Sequence, residues 1–259
     1  MTLTIGNIAI GADNPCRFVA EISGNHNQSL RRAYRLIDAA KAAGADFVKF
    51  QCYLPSELVL LRGDGPAPEP WGSQGYRMGD LYLKARTPFE WFPELFQHAR
   101  DVGLVPFSSV FGEASWRVLR AVDCPAYKVA RLDNQSRFLI TVAQMPGKPV
   151  IVSTSGERLL PMACPPIRLW CPKGYPQSAP FFERDTFTDD EMSATFDGFS
   201  YHGTSIEPPV VAATLGAKMI ECHFQLRDEP SDLESNVSLD EHQFAEMIRR
   251  VRQMETMLA

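Results

Sequence analysis

Eight short apolar segments, separated by amphipathic ones, constrain this chain more tightly than any single motif does. The strand candidates are 18–21, 47–51, 105–108, 126–130, 149–153, 167–171, 198–202 and 219–223. Helix patterns fall between several of them. Leu30, Ala33, Tyr34, Ile37 and Ala40 form an apolar stripe after a Ser29 cap, with Gly44 as the stop. Phe92, Leu95, Phe96 and Ala99 repeat the pattern before Gly103, and Phe244, Ile248, Val251, Met254 and Leu258 repeat it after an Asp240 cap. Strands alternating with helices imply βαβ units and a parallel sheet. Eight such units predict an α/β fold, a closed (β/α)8 TIM barrel in which residues 1–259 form one catalytic domain, and the 259-residue length suits that fold.

Two stretches break the rhythm. Residues 54–86 are rich in Gly and Pro ("RGDGPAPEPWGSQG") and predict a long loop after strand 2, either an active-site lid or a floppy insertion. "GERLLPMACPP" is too short and too proline-rich for a crossover helix, so one helix is expected to be abbreviated there.

Side chains alternate along a strand, so Phe47, Lys49 and Gln51 share one face and Val48 and Phe50 take the other. Glu21 shares a face with Val19, Ser200 with His202, and Glu221 with Met219 and His223, while Lys128 sits between Ala126 and Ala130. In a barrel, inward residues at the C-terminal strand ends build the active site. An unpartnered buried charge costs several kcal/mol, so polar residues repeated at one level argue for function. Salt bridges to the outer helices are the competing reading. His202 and His223 fall on neighbouring strands at similar height, which suits a divalent transition ion or a proton relay. His98 and His242 lie on helices as surface or packing residues, and His26 lies in the first βα loop. Two inward lysines can clamp a phosphate or carboxylate, or one can form a Schiff base. Hydroxyls at Ser108, Ser109, Ser153, Thr154 and Ser200 favour the clamp and an anionic substrate.

The bulk numbers exclude other classes. A net charge of -5 argues against nucleic acid as partner. No signal peptide and no membrane span are read, and six scattered cysteines without CxxC pairs predict reduced thiols in a cytoplasmic protein.

The stretch "AEISGNHNQSLRRAYRLIDAAKAAGADFVKFQ" resembles the opening of the sialic acid synthase family. The likeness continues through "FSSVF", "PAYKVA", "GKPVIVSTSG", "GYP", "GFSYH" and "LGAKMIECHF". The resemblance implies condensation of phosphoenolpyruvate with an aldehyde, a sugar or sugar-like acceptor, on a TIM barrel, giving a 2-keto-3-deoxy acid and phosphate. It implies a divalent metal, Mn2+ foremost with Mg2+, Co2+ or Zn2+ as alternatives, held by His202 and His223. Lys49, Lys128, Ser109, Ser153 and Ser200 would bind phosphoenolpyruvate. Glu21 and Gln51 would flank the reacting carbons, Tyr175 would border the sugar, and Glu21 or Asp133 would activate water. Glu234 or Asp232 would hold the sugar, with Glu234 preferred. Three features depart from the family pattern: Arg131 stands at a serine position beside the phosphate region, Asp133 at a glutamate, and Tyr201 at an aspartate. The family's C-terminal antifreeze-like domain is expected to be absent, with Arg131 supplying a substitute charge to the substrate. A homodimer is left open. The alternatives are a repurposed barrel that binds a small anion and a Schiff-base pyruvate aldolase using Lys49 or Lys128.

Overall fold

The computed structural model describes residues 3–11, 13–69, 71–144, 147–177, 186–187 and 196–258. It opens with an antiparallel hairpin, β1 (Leu3–Ile5) and β2 (Ile8–Ile10), that the strand pattern above leaves out. Three-residue strands are too short to display a period of two. Gly6 turns the hairpin at φ +60°, a region open to glycine, and a Cβ there would press on the Val105 side chain at 3.0 Å. Val105 begins a barrel strand, so the hairpin covers the N-terminal end of the barrel.

The barrel strands are β3 (Arg17–Glu21), β4 (Phe47–Cys52), β5 (Val105–Val110), β6 (Tyr127–Val129), β7 (Val150–Thr154), β8 (Ile167–Trp170), β9 (Gly198–Tyr201) and β10 (Met219–Gln225). Each bound falls within two residues of the expected one. All neighbours are parallel, and the ring closes because β10 pairs with both β3 and β9, Met219 lying opposite Arg17 and Gly198. Gly198 is required at that closure, since a Cβ there would collide with the Met219 carbonyl oxygen. A ninth strand, β11 (Ser238–Asp240), extends from the upper half of β10.

The helices are α1 (Leu30–Ala42), α2 (Pro55–Arg62), α3 (Met78–Ala85), α4 (Phe92–Asp101), α5 (Glu113–Ala121), α6 (Arg137–Gln144), α7 (Glu207–Thr214) and α8 (Glu241–Leu258). The α1 stripe packs inward through Ala33, Leu36, Ile37 and Ala40, Ser29 Oγ accepts from Arg32 N, and Gly44 at φ +93° stops the helix. On α8, Asp240 caps as expected, accepting from His242 N at 2.9 Å and Gln243 N at 2.8 Å. Its apolar face holds through Phe244 and Val251 but not to the end, since Leu258 is 66% exposed. Fully buried aromatics, among them Phe18, Phe50, Phe96, Phe199 and Phe224, fill the layer between strands and helices. Inside the lumen Phe47 and Phe107 meet edge to face at 5.8 Å. Residues 155–166 carry no helix, which is the abbreviated crossover.

The 54–86 stretch corrects the loop expectation. It folds into α2 and α3 around a small core of Tyr53, Leu58, Tyr82 and Phe111. Glu57 Oε1 accepts from Ala114 N at the start of α5, and Arg62 pairs with both oxygens of Asp133 at 3.0 and 2.5 Å. The glycines and prolines between the helices hide this order, because each helix contributes too few apolar residues to mark a stripe. Asp133 has no exposed side-chain surface, so its charge depends on Arg62. Replacing Arg62→Leu is expected to cost about 3 kcal/mol in urea unfolding, whereas the pair Arg62→Leu with Asp133→Leu regains most of it; equal losses in both variants would contradict this account.

Candidate active site

The inward faces of β3, β4, β6, β9 and β10 converge on one buried ion cluster. Lys128 Nζ lies 2.7 Å from each oxygen of Glu221. Their strands, β6 and β10, stand on opposite sides of the ring, so this pair crosses the lumen. Lys49 Nζ lies 3.2 Å from Glu221 Oε1 and in ion contact with Glu21 Oε2, and reaches toward Ser109 Oγ at 3.5 Å. Ser200 Oγ donates to Glu221 Oε1 at 3.0 Å. The register explains the meeting, since Glu21 pairs with Lys49, Gln51 with Ser109, and Ser109 with Lys128 along adjacent strands. All four charged groups are buried, where isolated charges would not survive.

Electrostatics follow from that enclosure. Burial alone would raise the Glu221 carboxyl, but the ammonium groups of Lys128 and Lys49 outweigh it and hold it well below the usual carboxylate range. Burial lowers Lys49 to about 8, with Glu221 opposing and Lys128 adding to the fall. Neither oxygen of Glu21 accepts a well-directed hydrogen bond, and Ser153 Oγ, on the same face of β7 as Ile151, has no partner among the described residues. Orphaned polar atoms in a lumen call for a partner from outside the chain, a ligand, an ion or water.

Above the ion cluster lie the imidazoles. The His202 and His223 rings are 5.1 Å apart, and Tyr175 packs against both at 5.2 and 5.8 Å. Burial and then His223 hold His202 well below the usual imidazole value, and burial and then Lys49 push His223 down to about 3. Burial therefore favours the neutral form of both rings. His223 Nδ1 is buried without a hydrogen bond, 3.8 Å from Glu234 Oε1. These features fit a divalent ion. Among the described residues no set of three or more His, Cys, Asp or Glu forms a closed cage, so the chain offers two imidazoles, with the other positions for water or substrate.

A second network rims the mouth. Gln51 Nε2 donates to Ser23 Oγ at 2.8 Å, and Ser23 Oγ donates to Glu234 Oε1 at 2.9 Å. Gly24 N and the Tyr175 hydroxyl also donate to Glu234, at 2.8 and 2.7 Å. Burial raises the Glu234 carboxyl, against these donors. Asp232, the alternative acid, is exposed.

Asp133, the alternative to Glu21 for activating water, has both oxygens bound by Arg62 and so braces the α2–α3 segment. Arg131 is half-buried with no hydrogen-bond or ion-pair partner among the described residues, close enough to Cys171 to lower the thiol against burial. Tyr201 turns outward and stacks on Phe199 at 5.7 Å, away from the lumen. His26 is fully buried against Thr87 Oγ1 and the Trp91 ring and serves the turn. Glu221 carries no assignment in the sequence reading, although its place on the His223 face could have supplied one. Ser23 at φ +47° and Gln177, in irregular backbone after β8, leave no periodic signal.

Known proteins carry the same architecture. The NeuB family model matches residues 36–159 and 169–259. Pseudaminic acid synthase of Helicobacter pylori is 33% identical over 256 residues, covering 92% of this chain and 74% of its own. A pseudaminic acid synthase of Campylobacter jejuni is 32% identical over 269 residues, covering 99% and 78%. The crystal structure of N-acetylneuraminic acid synthetase from Leptospira borgpetersenii superposes with a TM-score of 0.84 at 24% identity, over 100% of this chain and 90% of that one. With the family model matched along most of its length, the chain belongs to the NeuB family.

Proposed function

We propose that this barrel condenses phosphoenolpyruvate with an aldehyde, a sugar or sugar-like acceptor, to give a 2-keto-3-deoxy acid and phosphate. The observation that carries this reading is the Lys49–Glu221–Lys128 cluster lying beneath two neutral imidazoles and a hydrogen-bonded carboxylate, Glu234. Relatives named as pseudaminic acid synthases support it.

In this reading the anion rests on the lysines. An ammonium has three donors; Lys128 directs two at Glu221 and keeps one for a ligand. Ser109, Ser153 and Ser200 add hydroxyls, and Arg131, without a partner among the described residues, adds a planar donor set suited to phosphate or carboxylate. Glu234, Tyr175 and Gln51 hold the acceptor at the mouth. Carbon 3 of the enol attacks the aldehyde carbon, whose oxygen takes a proton and becomes a hydroxyl. Water adds at carbon 2, losing a proton to Glu21, and phosphate departs with its C–O bond. His202 and His223 would hold the divalent ion, Mn2+ foremost, which when bound polarises the aldehyde as a Lewis acid. The lysines offset charge throughout. The same reading takes 1–259 as one cytoplasmic catalytic domain acting on small molecules; no described helix is long and apolar enough to cross a membrane.

A second reading has one support, the lowered Lys49 ammonium, which would suit a Schiff-base nucleophile. Borohydride with pyruvate separates the two: a stable adduct on Lys49 supports the aldolase, and its absence alongside phosphate release rejects it.

Phosphate release from phosphoenolpyruvate with a panel of amino-sugar aldehydes and Mn2+ tests the condensation. Lys128→Met is expected to lower the rate about a hundredfold or more, and silence with every aldehyde would overturn the proposal. Lys49 is charged below about 8 and neutral above it. Phosphoenolpyruvate affinity should therefore fall as pH rises through that value, and calorimetry from pH 6.5 to about 9.5 reads it; an unchanged affinity would remove Lys49 from the anion site.

A further inference from the structure

Gln177 holds His202 from three directions. Its main-chain N–H donates to the His202 carbonyl at 2.7 Å, and its Oε1 accepts from the His202 main-chain N–H at 3.1 Å. Its Nε2 donates to the Pro172 carbonyl at 2.7 Å and lies 3.1 Å from His202 Nδ1. The residue is buried at 6% exposure. These heavy atoms fix the sense of the amide. Reversed, it would set its oxygen against the Pro172 carbonyl and its NH2 against the His202 N–H, two repulsive contacts.

The remaining amide hydrogen has two neighbours, His202 Nδ1 at 3.1 Å and the weaker acceptor Cys171 Sγ at 3.8 Å. An N–H on Nδ1 would oppose the amide at that shorter distance, so the contact favours Nδ1 as acceptor, with the Cys171 thiol 3.9 Å from the same nitrogen. An imidazole that accepts at Nδ1 carries its hydrogen on Nε2, and both the other neutral form and the doubly protonated ring are disfavoured by the same contact. A metal-ligating histidine ordinarily gives its second N–H to a carboxylate or carbonyl. Gln177 presents the opposite polarity, a donor. At His202 one nitrogen is therefore occupied by the amide and the other by hydrogen, whereas His223 Nδ1 has no hydrogen bond.

We propose that Gln177 is a positioning residue that fixes His202 with its hydrogen on Nε2 and so weakens divalent-metal binding at the imidazole pair. The inference rests on the reading of that pair as the metal side of the site. At His223 an ion would meet an Nδ1 that accepts no hydrogen bond among the described residues, whereas it engages His202 after the ring hydrogen has moved and the amide contact has broken. Metal occupancy is thereby made reversible and dependent on supply.

The test uses the full chain, metal-free, with 15N-labelled histidine. Long-range 1H–15N correlation should find His202 protonated at Nε2; an Nδ1–H signature overturns the proposal without any variant. Zn2+ calorimetry then compares wild type with Gln177→Met, which loses the amide at similar length, and Gln177→Glu, which presents an acceptor. Both are expected to bind Zn2+ about tenfold more tightly. A folded Gln177→Met with unchanged or weaker Zn2+ binding overturns the proposal, and if that variant does not fold the wild-type spectrum still decides. His223→Ala is the separate control. Zn2+ binding that survives it refutes the metal reading of the pair, and with it the effect on affinity, while the spectrum independently judges what Gln177 does to the ring.

Discussion

The contact between Lys128 and Glu221 organises the rest of the molecule. Two opposite charges projecting from opposite sides of a ring lie 2.7 Å apart, both buried in the lumen. Replacing both with apolar groups of similar size would often cost little stability, whereas losing either partner leaves a charge stranded. The pair is therefore poor evidence of stability for its own sake. Its placement at the level of Lys49, Glu21 and Ser200 ties it to what the lumen holds.

That level divides the barrel by chemistry. Beneath it Phe47 and Phe107 pack as an ordinary core, with the β1–β2 hairpin below them. Above it come imidazoles, a tyrosine and a carboxylate whose hydrogen bonds run through Ser23 to Gln51. The α2–α3 segment stands against the rim through Arg62 and Glu57, a folded wall tied to Asp133 and to the start of α5.

Much of this was legible beforehand because alternation is a strong signal where a sheet is buried on both sides. The inward set of Glu21, Lys49, Lys128, His202 and His223 could be read by counting residues from each strand end. What escaped reading had no period. The hairpin strands are too short, the α2–α3 helices are separated by glycines and prolines, and Gln177 and Ser23 act from loop backbone. Asp133 is a different case: its water-activating role is implied by the family resemblance alone, and its partner Arg62 lies far away in sequence. Family membership fixes the architecture independently of these details.

The hairpin at the base has one last effect. With that end covered, traffic passes through the upper opening. Under the proposed function, a molecule seated on the lysines would lie deeper than one seated on Glu234 and would have to arrive before its companion. Such a blind-ended vessel would impose a compulsory order by depth.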